Sequence, residues 1–450
     1  MLLFAAFFFL FYITMNWPYL LLVFIDAAVR APVAVIPAAQ PQIAARPQGI
    51  VIEVQRPRLS GERPQLVGFV NDKQSMIESS GRVDFSVCAA GLGDQNASVR
   101  YNWTITSMDE ELNESFRAQF LTDRCKLRWR ALREGAYRVR VDVFYSTTSQ
   151  LHYALATGNR TVKVRDIWIV AIGDSFASGE GSPDTPVKMH GIIPARWLSE
   201  ACHRSSRSWM FKIYEKIVKQ YPDYGILFTY LPCTGAAISS GILEKLKGSA
   251  EESQMDRVRE LKELRRRAPD VLLASAGGND LGYADIMYSM LWGDSKAVFD
   301  TLDMRFFFLS HQLDRLAHAI HEGLGILPRA TVFPHYFDLS RNELGQIDAN
   351  CSDLLHASTD DFVFAEKHIL KRINKIISDK AAKHHWTVVD DVGEIFERHG
   401  FCSNESFILS LRDSFEIQGN NFGAFHPIEE AHRRISESAW SKIKHLITQS

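Results

Sequence analysis

The pattern of apolar and polar positions changes character once along the chain. Between residues 51 and 165, apolar residues come in short alternating runs at 67–70, 82–87, 98–105, 137–144 and 161–164. Period-two alternation broken by polar turns predicts half-buried strands, and the set predicts a small antiparallel sandwich over 51–165. From residue 166 the runs become shorter, more continuous and separated by helical stretches. Apolar runs at 167–172, 226–231, 271–276, 330–336 and 387–390 read as buried strands, with helical periodicity near 208–221, 251–267, 303–325 and 361–383. In 251–267 the residues Met255, Val258, Leu261 and Leu264 form one apolar stripe, so the Arg265-Arg266-Arg267 end is a solvated face with a favourable C-terminal charge. A last helix within 427–447 puts Ile428, Ala431, Ile435, Ala439 and Ile443 on one side. Strands alternating with helices predict a parallel sheet with right-handed crossovers, covered on both faces.

The chain of 450 residues is long enough for two domains. Residues 31–50, rich in Ala, Pro, Val and Gln and without periodicity, read as a linker. Residues 1–25 carry no charged side chain and are dense in Phe and Leu, as a signal peptide or a signal anchor within 1–30 would be. Either places the remainder in the secretory lumen or outside the cell, membrane-attached only if the segment stays uncleaved. Five Asn-x-Ser/Thr sequons, at Asn96, Asn102, Asn113, Asn159 and Asn404, agree with that side of the membrane. The six cysteines include no Cys-x-x-Cys, and in an oxidising compartment their even number favours disulfides. Pairing each with its nearest partner in sequence gives Cys88–Cys125, Cys202–Cys233 and Cys351–Cys402. A formal net charge of −2 gives no reason to expect nucleic acid.

The candidate chemistry sits where the first buried run stops. Residues 167–172 lead into Gly173-Asp174-Ser175, with Gly179 and Gly181 close behind. A serine at that point lies at the carboxyl edge of a parallel sheet, where open α/β sheets bind ligands. The glycine spacing fits neither Gly-x-Gly-x-x-Gly nor a P-loop, which argues against a phosphate cradle. Gly235 follows the second run, and Asn279 lies in Gly277-Gly278-Asn279-Asp280 after the third. His426 precedes Pro427, which holds it extended at a helix start. Taken singly, each is an ordinary turn or an incidental histidine. His384-His385 lacks i,i+4 spacing and a nearby third ligand, so neither a metal nor another cofactor is expected.

In this order, the blocks around Ser175, Gly235, Asn279 and His426 resemble those of the SGNH (GDSL-like) hydrolase family. The likeness spans roughly 167–447 and is nearest to the secreted esterase and lipase branch, which residues 202–205 and 399–402 also resemble. It implies an α/β, flavodoxin-like three-layer domain over 166–450. Ahead of that domain stands the all-β sandwich, whose Glu134-Gly135-Ala136-Tyr137 run weakly resembles immunoglobulin-like or PKD-like domains. The resemblance further implies metal-free hydrolysis of carboxylic esters, whether lipid, phospholipid or acylated glycan. Ser175 would be the nucleophile forming an acyl-enzyme and His426 the base, while the Ser175 and Gly235 backbone N–H groups and the Asn279 amide would form the oxyanion hole. Many members carry Asp three residues before the histidine, where this chain has Gly423. The expectation is therefore a dyad whose histidine is steered by the Gly423 carbonyl or a close neighbour's. Asp390, Asp391, Asp413 and Glu416 are the acids that would otherwise serve. The missing Asp also motivates a rival reading, an extracellular binding protein that has lost turnover.

Overall fold

The computed structural model describes residues 47–55, 65–69, 73–79, 82–92, 99–108, 117–131, 135–145, 154–164, 166–188, 192–221, 224–248, 251–292, 298–351 and 357–447. The expectations for residues 1–46, and for Asn96 and Asn113, lie outside them.

Ten strands precede residue 166: β1 (Gln48–Gly49), β2 (Glu53–Gln55), β3 (Gln65–Phe69), β4 (Lys73–Ser79), β5 (Arg82–Ser86), β6 (Val99–Ser107), β7 (Arg117–Thr122), β8 (Lys126–Arg130), β9 (Gly135–Tyr145) and β10 (Ala156–Val164). Eight of them form two sheets, ordered β1-β10-β9-β6-β7 and β2-β5-β8. Alternation along β6 and β9 buries Trp103, Ile105, Val139, Val141 and Val143, which share one apolar cluster with Val83 and Phe85 of β5. The Phe85 and Trp103 rings lie 6.3 Å apart, and the Cys88–Cys125 disulfide staples the smaller sheet.

Two readings of this region are corrected. Residues 31–50 do not end as a linker, because β1 pairs in parallel with Ala156 and Thr157 of β10. The run at 67–70 falls in a strand of a different sheet. Strands β3 and β4 form a hairpin, and β4 pairs antiparallel with residues Ile226 to Thr229 of the following unit's edge strand. An edge strand presents unpaired N–H and C=O groups, and the hairpin satisfies them. Alternation alone cannot choose between two sheets, so the pattern assigns the run at 67–70 to the nearer one, and it shows no strand at 73–79.

The second set of strands is β11 (Asp166–Gly173), β12 (Gly225–Tyr230), β13 (Val271–Ser275), β14 (Thr331–Pro334) and β15 (Thr387–Val389), all parallel, in the order β15-β14-β13-β11-β12-β4-β3. Their spatial order, 2-1-3-4-5 by position in the chain, is the flavodoxin-like doubly wound order. Helices cover both faces. Phe228 and Tyr230 point to the helix Trp209–Gln220, where each lies about 6 Å from Phe211. Thr229, on the opposite face, accepts from the Trp168 indole, over which Arg265 of the helix Gln254–Arg265 is placed. The charged 251–267 stretch packs through Met255, Val258 and Leu261, but Leu264 is exposed, and Arg265 and Arg267 lie half-buried over the Trp168 ring instead of forming a solvated face. The helices Leu302–His318 and Lys371–His384 pack together, as do Trp209–Gln220 and Glu429–Ile443. Helices at Tyr283–Trp292, Val392–Phe396 and Leu411–Gln418 were not anticipated. Among the described residues no helix is long and apolar enough to cross a membrane.

All three nearest-neighbour disulfides are present, Cys202–Cys233 and Cys351–Cys402 among them. Cys202–Cys233 closes a segment with a sequence separation of 31 residues and ties the loop after Ser175 to the turn that carries Gly235. Replacing both Cys202 and Cys233 by Ser should lower the unfolding free energy by about 4 kcal/mol, as loop-closure entropy gives for a segment of this length. Urea denaturation of the two proteins measures it, and an unchanged midpoint would contradict the role.

Candidate active site

Strand β11 ends where the backbone must turn sharply against its neighbour. Gly173 has φ +151°, and a Cβ there would collide with the Ser275 carbonyl of β13 and with Ala177, so glycine is required. Asp174 then caps a single helical turn, Ser175–Ser178, its side chain accepting from the N–H groups of Phe176 (3.1 Å) and Ala177 (3.4 Å). Its second oxygen accepts from the Tyr336 hydroxyl at 3.0 Å, and that same hydroxyl accepts from the Gly278 N–H at 2.9 Å. Burial pushes the Asp174 carboxyl up to about 6, against the pull of these donors. Tyr336 thus joins the Ser175 turn to the Gly277-Gly278-Asn279 loop. Sequence had placed it only at a strand end.

The Ser175 hydroxyl lies 2.8 Å from Nε2 of His426. The other ring nitrogen, Nδ1, is 3.0 Å from the Ala424 carbonyl. A carbonyl can only accept, so Nδ1 carries the proton and Nε2 is left as the acceptor for the serine O–H. The expectation for Gly423 is corrected here. Its carbonyl takes the backbone N–H of His426 at 3.2 Å, and the ring proton goes one residue further to Ala424. The segment is held rigidly: Phe425 sits at φ +63°, an unusual conformation for a non-glycine, and is buried. Its N–H donates to Leu409 (2.8 Å), its carbonyl accepts from the Tyr283 hydroxyl (3.1 Å), and the Leu409 N–H donates to His426 (3.0 Å). Burial holds the His426 imidazole below the usual histidine value, opposed by the Glu180 carboxylate and by the Ala424 and Gly423 carbonyls.

Position 423 has no room for an acid. A Cβ there would stand 2.7 Å from the Gln418 amide oxygen and 2.8 Å from the Gly181 Cα. The four alternative acids are engaged elsewhere. Asp413 completes a capping box with Ser410, Glu416 pairs with Arg412, Asp390 with Lys442, and Asp391 accepts from Ser438.

One N–H of the Asn279 amide donates to the Ala236 carbonyl at 2.9 Å, leaving the second hydrogen of the same nitrogen for another acceptor. The neighbouring Asp280 carboxylate accepts the Ile238 N–H at 3.1 Å. These two bonds bind the Asn279 loop to the turn of Gly235, which has φ +76° and open space where a Cβ would stand. Beyond the polar end formed by Ser175, Asn279 and His426, a cavity of about 140 Å³ runs between apolar side chains that include Leu281, Met287, Met290, Phe362, Leu370 and Ile373. Part of its wall is the π-helical turn Glu366–Leu370, a widened turn of a kind often found at functional sites.

Sequence reading assigned no role to Glu180, although it stands between two glycines in the first block. It is fully buried, accepts from Nδ1 of His203 at 2.7 Å and from the Gln418 amide at 2.9 Å. His203 is itself at φ +46° and stacks on Trp197 with 4.5 Å between ring centres. Of the sequons, Asn159 and Asn404 are exposed, whereas Asn102 accepts from the Gln119 amide on its sheet. His384 does not face a metal cluster, since its ring pairs with Asp314 beside Lys380 and Lys383.

No protein-family model matches the chain, and no curated protein matches it by sequence. Among solved structures it is similar to an extracellular lipase from Streptomyces rimosus, at 20% identity and a TM-score of 0.44, over 61% of this chain and 99% of that one. A phospholipase A1 from Streptomyces albidoflavus gives the same values of 20%, 0.44, 61% and 99%. An acetylxylan esterase from Geobacillus stearothermophilus is 13% identical with a TM-score of 0.33, over 62% of this chain and 95% of that one. At these TM-scores the likenesses do not bear on activity. The strand order, with the four sequence blocks meeting at the carboxyl edge of the sheet, is the arrangement that the SGNH resemblance implies.

Gly423→Asp, which places a carboxylate three residues before His426, should lower Tm and should lower, not raise, the activity proposed below, because the site is filled by Gln418 and Gly181. Asp390→Asn, Asp391→Asn, Asp413→Asn and Glu416→Gln should each change kcat less than about tenfold, far from the roughly 10⁴ that follows neutralisation of a triad acid. Gain of activity in the first variant, or a triad-sized loss in any of the four, would refute the carbonyl-steered arrangement. Because burial lowers the His426 value and a general base must be neutral, kcat/KM should fall on the acid side with a midpoint below about 6.5. A pH profile with a neutral ester checks it.

Proposed function

We propose that this chain is a serine hydrolase of carboxylic esters, of the SGNH type, acting on esters with an apolar acyl group. The observation that carries the reading is the pair of bonds on His426: Nε2 at 2.8 Å from the Ser175 hydroxyl and Nδ1 on the Ala424 carbonyl. A serine hydroxyl is a weak nucleophile unless a base takes its proton as it attacks. Here Ser175 Oγ bonds to the ester carbonyl carbon while its proton passes to Nε2. The carbonyl electron pair moves to oxygen, where the Ser175 and Gly235 N–H groups and the spare Asn279 hydrogen are proposed to receive it. Collapse expels the alcohol, protonated by Nε2, and leaves an acyl group on Ser175. Water, deprotonated by the same nitrogen, then releases the acid.

The cavity supports the acyl assignment. It begins at Ser175 and is walled by aliphatic, thioether and aromatic groups. A dry cavity of comparable size holds a benzene-sized group, so an acyl chain of about six carbons fills it. The proposed compartment is the secretory lumen or the cell exterior, with three disulfides and the exposed Asn159 and Asn404 in support.

A fluorophosphonate probe should label wild-type protein at Ser175 and fail to label Ser175→Ala, which should hydrolyse no ester while remaining folded. Asn279→Ala should lower kcat by about 10²–10³ with KM little changed. Across p-nitrophenyl esters, kcat/KM should rise about fourfold per methylene up to roughly six carbons and then level. Folded wild-type protein that takes no label would favour the binding-protein reading, and a preference for acetate over hexanoate would contradict the acyl assignment.

A further inference from the structure

The dyad lacks the carboxylate that commonly steadies an imidazolium, yet a carboxylate is buried one turn away. A fully buried carboxylate is expensive unless its charge is used or matched. Glu180 has two donors, His203 Nδ1–H and the Gln418 amide. It is placed against the histidine segment by backbone contact. A Cβ on the adjacent Gly181 would lie 3.2 Å from the Gly423 carbonyl and 3.5 Å from the His426 Cβ, and the Gly181 N–H donates to Gln418 at 3.1 Å. Gln418 in turn touches Gly423, so one amide side chain spans Glu180, Gly181 and the loop of His426.

Resting on the reading of Ser175 and His426 as the catalytic pair, we propose that Glu180 is a positioning residue that supplies the missing negative charge, acting on His426 through space across the Gly181 turn rather than through a hydrogen bond. The groups around His426 leave it little competition. Tyr283, from the helix Tyr283–Trp292, is half-buried, and burial of its hydroxyl raises it and keeps it neutral. His432, from the closing helix, is pushed down to about 3 by burial, with the charges of Lys212 and His426 adding to it, and is also neutral. Asp174 faces the nucleophile turn and Tyr336. His203 lies behind Glu180, and any positive charge on it opposes the carboxylate's effect on His426. Although burial acts to raise the Glu180 carboxyl, the His203 hydrogen bond and the nearby imidazoles hold it below its usual value, so it is ionised at neutral pH. An ionised, desolvated carboxylate stabilises a cation that forms nearby, and it does so most when that cation appears only during the reaction.

The test is Glu180→Gln, which keeps the shape and the acceptor for His203 but removes the charge. Expected are a fall in kcat of about tenfold with KM little changed, and an acid limb of the kcat/KM profile moved to lower pH by about half a unit or more. A merely structural role would lower activity without moving the limb. His203→Asn retains a donor for Glu180 and the carboxylate itself, so it should keep kcat within about tenfold and should not move the limb downward. An unmoved acid limb in folded Glu180→Gln overturns the proposal. Should that variant not fold, a hundredfold loss or a downward limb in His203→Asn does so instead. If wild-type protein fails to take the fluorophosphonate label, the catalytic reading itself falls. If the label forms but the limb stays, only the role of Glu180 falls.

Discussion

Two backbones nearly touch at the heart of this molecule, and much of the site follows from that contact. Gly181, in the turn after Ser175, and Gly423, in the loop before His426, come so close that a side chain on Gly423 would strike the Gly181 main chain, and one on Gly181 would crowd the Gly423 carbonyl and strike Leu409. The Gln418 amide closes the contact by bonding the Gly181 N–H and the Glu180 carboxylate together. Chain segments more than two hundred residues apart are thereby fixed at the precision that a serine–imidazole hydrogen bond needs. The same contact excludes an acid from position 423. The imidazole is left to the Ala424 carbonyl, which sets the tautomer without adding a full charge.

The energetic setting of the histidine is a balance of opposed effects. Burial lowers the proton affinity of His426, while two carbonyls and a carboxylate raise it. Burial wins, so the ring is neutral at rest and available as a base. The low dielectric that disfavours a resting imidazolium also strengthens every nearby dipole once one forms. Tyr283 and Phe425 belong both to the cavity wall around this polar end and to the hydrogen bonding that holds the histidine loop.

Much of this was legible in the sequence, for reasons that can be named. The five parallel strands are continuous apolar runs, which period alone detects, and their glycine-rich exits mark the places where backbone must pass close to backbone. Ser175 and Asn279 follow from those exits, and His426 from its place before Pro427 at a helix start together with the resemblance. The Ala424 carbonyl could not be distinguished from that of Gly423, because the choice depends on loop torsions such as the positive φ of Phe425. Glu180 carried a faint signal, a charged residue between two glycines that require φ near +90° and +84°. Of its partners, His203 lies in the 202–205 block of the resemblance but nothing there points it at Glu180, and Gln418 carries no signal. Nor did Tyr336, whose hydroxyl reaches Asp174 from another strand's exit. In the β3–β4 hairpin, the run at 67–70 was misplaced because its alternation fits any sheet with a free edge, and the pattern shows no β4 at all.

That hairpin bears on how the two halves of the chain relate. The sheet that carries Ser175 does not begin at residue 166. Its outer rim is drawn from β3 and β4, residues that come before most of the all-β region has been laid down. The chain opens the two all-β sheets with β1 and β2, lays down one border of the third sheet with β3 and β4, goes on with the first two sheets, and then builds the parallel strands onto that border. The halves are therefore interleaved in sequence rather than strung one after the other. A boundary drawn between residues 165 and 166 would cut the parallel sheet from its own border, leaving β12 as a bare strand edge on which any other extended chain could pair. An exchange of the N-terminal region between proteins of this architecture has to carry those two strands along, or leave them behind with the sheet they finish.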